Sequence, residues 1–201
     1  DSLMRHLMFM SSRTTHMSDL GGKLLIAMPG LGDPRFERSV ILICAHSSQG
    51  SMGLVVNKPA ADISFEALLD QLSIPHLGGR CPIHVGGPME AARGFVLHSP
   101  QIDEEEEAGT IEVGPHFAMT TTPDILREIA RGMGPAQALL ALGYAGWGPG
   151  QLESEILRDD WLVCDAFPDL VFAADNGTKW LSAIRSMGVD PISLSAFGGR
   201  A

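Results

Sequence analysis

A chain of 201 residues, 45% hydrophobic and 19% charged, has enough apolar material for one compact domain with a sizeable core and does not have the composition of a disordered polymer. No apolar run reaches the ~18–20 residues that a membrane-crossing helix needs. The formal net charge of −10 repels phosphate backbones, and Arg35 and Arg38 sit beside Asp33 and Glu37 while the other cations are scattered, so unaided DNA or RNA binding is not expected.

Residues 1–16 lack the sustained apolar core and small-residue cleavage site of a signal peptide. Periodic patterning starts only near Leu20, so Met17 reads as an initiator, residues 1–16 as a disordered upstream extension, and residues 17–201 as a single domain. Cys44, Cys81 and Cys164 are an odd count without a Cys-x-x-Cys pair, which fits a reducing cytoplasm better than a disulfide framework.

In chain order, KLLIAMP (23–29) predicts a buried strand closed by a Pro-Gly turn. SVILICAH (39–46) and SMGLVVN (51–57) predict a hairpin around a four-residue loop, residues 47–50. Asp62 or Ser64 caps a short helix through Leu72, with Phe65, Leu68, Leu69 and Leu72 on one face. CPIHVGG, RGFVLHS, TIEVG and HFAMTT are short strand-like runs, interrupted by an acidic tract at 103–107 that reads as a solvated loop. A helix follows, capped by Thr121 or Thr122, with Pro123 in its first turn, Ile125, Leu126 and Ile129 facing inward, and Gly132 ending it. QALLALGYAG has helical propensity, but its setting favours a buried strand. A helix from Pro149 carries Leu152, Ile156 and Leu157; WLVCDA and DLVFAAD read as strands, residues 178–187 as a last helix, and the tail PISLSAFGGRA as irregular. Helices and strands mix without regular alternation, so α+β is expected.

Three groups of residues could carry chemistry. Cys44 and His46 alternate along one strand and so should face the same side, where a thiol and a base could act together, although no third group orients them. A zinc site from Cys44, His46, Cys81 and His84 lacks close-paired ligand spacing and is disfavoured; no metal or cofactor is expected. In DPRFER, Asp33, Arg35, Arg38 and the Phe36 ring could meet an anionic or planar ligand, or could serve only as a turn cap, a core plug and internal ion pairs. The stretch GYAGWGPGQLESEI, residues 143–156, packs four glycines, two aromatics and two carboxylates together. It lacks the Lys-Ser/Thr of a phosphate-binding loop, and Glu153 and Glu155 already place negative charge in the first turns of the helix. A small pocket walled by Tyr144 and Trp147, with Gln151 and Glu153 as polar groups, is the functional alternative to a purely structural turn.

The segments GKLLIAMPGLGDPRFERSVILICAH, GSMGLVVNKP, VGGP with RGFVLH, and GYAGWGPGQLESEI resemble, in order and spacing, the YqgE/AlgH family over roughly residues 20–190. The resemblance implies a bacterial cytosolic protein with helices around a branched, partly barrel-like and mainly antiparallel sheet. It brings a transcriptional-regulator label carried by some members and no catalytic residues. The expected function is a non-enzymatic regulatory or binding module for a small molecule or a protein. The alternatives are a hydrolase or thiol-dependent enzyme using Cys44, His46, Asp33 and Arg38, and a DNA-acting regulator, which the charge disfavours.

Overall fold

The computed structural model describes residues 19–101 and 109–197. Residues 1–16 and the acidic tract at 103–107 lie outside them. Nine strands form one sheet: β1 (Lys23–Ala27), β2 (Val40–Ser47), β3 (Gly50–Val55), β4 (Ile83–Val85), β5 (Met89–His98), β6 (Thr110–Val113), β7 (Phe117–Thr120), β8 (Ala138–Trp147) and β9 (Trp161–Asp165). Around them lie helices α1 (Phe65–Gln71), α2 (Asp124–Ala130), α3 (Gln151–Leu157), α4 (Pro168–Val171), α5 (Lys179–Ser186) and α6 (Pro191–Phe197), with single 3-10 turns at Pro34–Phe36 and Asn176–Thr178. Among the described residues no helix is long and apolar enough to cross a membrane.

The strand order is β6-β7-β5-β8-β3-β2-β1-β9, and every neighbouring pair is antiparallel. The α+β class and the branched, half-barrel sheet follow from β8. One edge of β8 pairs with β5; the other pairs with β4 in parallel through residues 140–142 and with β3 through residues 145–147. The sheet curls until the turn before β1 meets the turn after β6. A Cβ on Gly22 would stand 2.6 Å from the Cα of Gly114, so this contact admits only glycine.

Alternation along the strands divides the apolar residues between two faces. Leu24, Ile26, Leu42, Leu54, Phe95 and Met119 pack beneath α5, whereas Leu25, Ile41, Ile43, Val55 and Trp147 pack beneath α3. A third cluster joins Phe65 and Leu69 of α1 to Ile125, Leu126 and Ile129 of α2.

Several local expectations need correction. Ser47 pairs with Gly50, so the β2–β3 turn has two loop residues rather than four. Ser64 caps α1, but Leu72 is 40% exposed, and Leu157, the last residue of α3, is 85% exposed. Neither threonine caps α2, which starts from Pro123 without a side-chain cap bond. DLVFAAD opens as helix: Pro168 presets the backbone at the first helical position and Asp169 complements the helix dipole. Residues 191–197 of the tail are also helical, again starting at a proline.

Lys179 is the largest polar side chain in the core, 1% exposed, and its Nζ donates to the carbonyls of Val56 and Val171, each at 2.8 Å. Burial lowers its pKa to about 8. The unfolded chain keeps the ordinary value near ~10.4, so between these limits the unfolded state binds more protons and the lysine's contribution to stability rises with pH. Burial raises the thiols of Cys44 and Cys81 to about 12, which acts in the opposite direction over the same range. The lysine is therefore isolated by difference. The stability of Lys179→Met relative to wild type should fall by about 2 kcal/mol between pH 7.5 and 10, read from urea midpoints. A constant difference would show that Lys179 keeps an ordinary pKa.

Candidate functional site

The turn after β1, the end of β8 with α3, the start of β9 and the start of β5 meet in a cleft of about 220 Å³. Asp33 caps the 3-10 turn by accepting from the Arg35 amide at 3.0 Å, and its carboxylate also takes a two-pronged contact from the same guanidinium, Nε to Oδ1 at 3.1 Å and Nη2 to Oδ2 at 2.7 Å. The Arg35 side-chain hydrogen bond holds the Asp33 carboxyl below the usual carboxylate range. Arg35 also lies over the Phe36 ring, 5.7 Å from its centre. Its fork is thus engaged internally, and the remaining donors stand at the rim.

Rings make the wall. Phe36 meets Trp161 edge to face at 5.7 Å between centres, and Trp161 meets Trp147 in the same manner at 6.2 Å. Trp147 ends β8 and Trp161 begins β9, and both rings are almost fully buried. Their indole N–H groups would be stranded in an apolar cluster without acceptors. Both donate to one atom, Glu155 Oε2, at 2.8 and 2.9 Å. The other oxygen of Glu155 accepts from Gln151 Nε2 at 3.1 Å, and Gln151 Oε1 accepts from the Gly148 amide at 3.0 Å. One carboxylate thereby ties β8, the Gly-Pro-Gly turn, α3 and β9 together. Gly150, at φ 71°, supplies the left-handed residue that starts α3.

Met89 supplies the fourth segment. Between Met89 and Gly94 the β5–β8 ladder is interrupted by a bulge, with Glu90 at φ 46°. The bulge leaves Met89 41% exposed at the cleft, its sulfur against Gly146; a Cβ there would stand 2.8 Å from Sδ.

Of the residues expected at a site, Asp33, Arg35, Trp147 and Gln151 meet here; Arg38, Tyr144 and Glu153 do not. Arg38 turns away to lie 5.2 Å from the centre of the Trp180 ring. Tyr144 is buried against Phe95 and hydrogen-bonded to Glu90; burial first, and then that bond, raise its pKa. Glu153 lies 3.2 Å from His46 Nε2, while His46 Nδ1 lies 2.7 Å from the Ser51 hydroxyl. The expectation that Cys44 and His46 face one side fails because the β2–β3 register shifts between Ile43 and Ala45. Cys44 and Ala45 both enter the cluster beneath α5, and His46 turns to α3. Among the described residues no group of three His, Cys, Asp or Glu side chains is placed to hold a metal ion.

Glu155, Trp161 and Met89 escaped the sequence reading. The spacing of Gln151 and Glu155, four apart on one helix, was the available signal for the first; a ten-residue strand interrupted by a bulge gave none for Met89. A larger depression of about 330 Å³ beside Arg80 and Gly134 contains none of the expected residues, and backbone and small side chains form most of its lining.

The model of the AlgH-like family matches residues 24–192. A UPF0301 protein of Cereibacter sphaeroides is 56% identical over 185 residues, covering 91% of this chain and all of that one. Another, from Ruegeria pomeroyi, is 55% identical over 186 residues with the same coverage. Among solved structures, the solution structure of AlgH from Pseudomonas aeruginosa matches with a TM-score of 0.73 and 36% identity over 94% of this chain and 98% of that one. A crystal structure of a Corynebacterium diphtheriae protein shares the fold at a TM-score of 0.72 and 21% identity, covering 96% of this chain and 98% of its own.

Glu155→Leu keeps bulk and removes the acceptor of two buried N–H groups, each of which costs about 1–3 kcal/mol when left unpaired. The expected loss is therefore about 2–6 kcal/mol in denaturant unfolding, and Glu155→Gln, which retains one acceptor oxygen, should lose less. A loss for Glu155→Leu well under 1 kcal/mol would contradict the arrangement.

Proposed function

The chain belongs to the AlgH-like family, and from that premise we propose that it is a non-enzymatic, cytoplasmic binding module whose cleft beside α3 receives one bulky apolar or aromatic side chain of a protein partner. The observation that carries this is the cleft itself: a rigid aromatic wall, an exposed thioether at the mouth and polar groups held in place around it. Its size decides between occupants. At about 220 Å³ it falls below the ~300–1,000 Å³ that engulfs a drug-sized ligand or cofactor, but it suits a single anchoring residue of the kind that dominates protein interfaces. A small molecule carrying such a group is the second occupant. Any regulatory role then runs through a protein, since the net charge of −10 opposes direct contact with DNA.

Two features weigh against an enzyme. The Cys44 thiol is 2% exposed and burial pushes its pKa to about 12, so it is no thiolate at neutral pH. The row Ser51, His46, Glu153 has the elements of a hydroxyl activated by a base and an acid, but Ser51 is 1% exposed, so its hydroxyl has no approach for a substrate. The same row reads better as a polar tie between the β2–β3 hairpin and α3.

The test is an NMR titration with 3-methylindole, the side chain of tryptophan as a free molecule. Saturable shifts are expected at the Met89 methyl and at the indole N–H groups of Trp147 and Trp161. Gly146→Ala adds a methyl to the floor of the cleft against the flexible end of Met89, and should abolish them while leaving the fold intact. Shifts confined to the depression around Arg80, or binding unaffected by Gly146→Ala, would refute the assignment.

A further inference from the structure

We propose that the free edge of β9 accepts an extended, cationic segment of another protein as an added strand. β9 ends the strand order, and among the described residues nothing pairs with its outer edge. Its five residues, Trp-Leu-Val-Cys-Asp, contain no lysine, proline or bulge, the devices that usually protect such an edge. Every residue of the strand is matched to β1, so the backbone is extended and in register, with alternate N–H and C=O groups directed outward. Leu162, Val163 and Cys164 are only half-buried, whereas Leu24, Leu25 and Ile26 beside them on β1 are completely covered. Leu162 and Cys164 pack on one face and Val163 on the other, so an added strand would cover apolar surface on both sides.

Charge selects the occupant. Residues 151–175, which contain β9, hold seven carboxylates and one basic residue, Arg158, and Arg158 is paired with Asp160. Asp165 is tied to Lys23, but Asp159 in the connection before the strand and Asp169 in α4 after it add further negative charge. A second copy of the chain would bring the same carboxylate-rich segments flanking β9 alongside each other, and such like-charge juxtaposition is unfavourable. A lysine-bearing strand gains both the main-chain hydrogen bonds and the attraction, which is the mode of strand addition at exposed sheet edges. The first residue of β9, Trp161, also supplies a ring to the cleft wall, but the added strand engages main-chain groups of residues 161–165 rather than that ring, so either proposal can fail without the other.

The probe is an acetylated, amidated heptapeptide alternating lysine and valine, added to the full chain. It should bind saturably, slow hydrogen exchange of the outward amides within residues 161–165 at least tenfold near saturation, and lose at least tenfold in affinity when glutamate replaces lysine. Its fully N-methylated counterpart keeps the charge but loses the strand-forming donors, and it should also bind at least tenfold more weakly. Equal affinity for the N-methylated peptide would reduce the effect to charge alone and overturn the proposal. Absence of binding at millimolar peptide, or protection outside β9, would overturn it too. Dimerisation of the free chain with slow exchange at residues 161–165 would assign the edge to a second copy instead.

Discussion

The carboxylate of Glu155 is the constraint on which the candidate site depends. Two tryptophans buried in one apolar cluster each bring an N–H that the cluster cannot satisfy, and they sit at the end of β8 and the start of β9. A charged acceptor shared by both, itself held by Gln151, resolves the conflict and fixes α3 over the end of the sheet in the same stroke. Hydrogen bonds to an ionised acceptor are stronger than neutral ones, so this junction has few alternative arrangements. A preformed cleft wall follows, because rings that cannot rotate present a fixed surface to whatever enters.

The glycines matter where backbones crowd, and they set the branch of the sheet. Gly143 sits at φ 75°, and a Cβ on it would stand 2.4 Å from the carbonyl oxygen of Gly87. Gly86 and Gly87 in turn lie against the backbone of residues 143–145. This close passage lets β8 leave β4 and take up β3, so that Trp147 reaches α3. The bulge in β5 lies across the same point and aims Met89 into the cleft. Branch, bulge and cleft are thus one feature of the chain.

The sequence made the strands of the core legible because β-branched runs with turn signals at both ends have few other readings. Asp33, Arg35, Trp147 and Gln151 were legible as site candidates because turn chemistry and glycine density marked their segments. What was hidden depended on periodicity across an irregularity. Cys44 and His46 alternate by count, but Cys44 is itself the extra residue of a bulge between Ile43 and Ala45, so it shares a face with Ala45 and not with His46. Tyr144 and Trp147 are three apart on a strand, so they enter opposite clusters and cannot share a wall. Glu153 and Glu155 are two apart on a helix, which sends one to His46 and the other to the tryptophans. Arg38 sits at φ 50°, a conformation that composition does not announce, and it leaves the turn in the direction of Trp180. The helix at 168–171 was misread because an apolar stretch of strand-like composition is decided by the proline at its head.

The three indole N–H protons of the chain provide the most direct test of this account. Trp180 donates to the Ala27 carbonyl at 2.9 Å, away from Glu155, and so serves as an internal reference for Trp147 and Trp161. Solvent exchange of the three indole protons, measured in wild type and in Glu155→Leu, should be slow for all three in wild type and should accelerate together for Trp147 and Trp161 in the variant, with Trp180 unchanged. Fast exchange of either cleft indole in wild type, or acceleration of only one of the pair, would contradict the shared carboxylate.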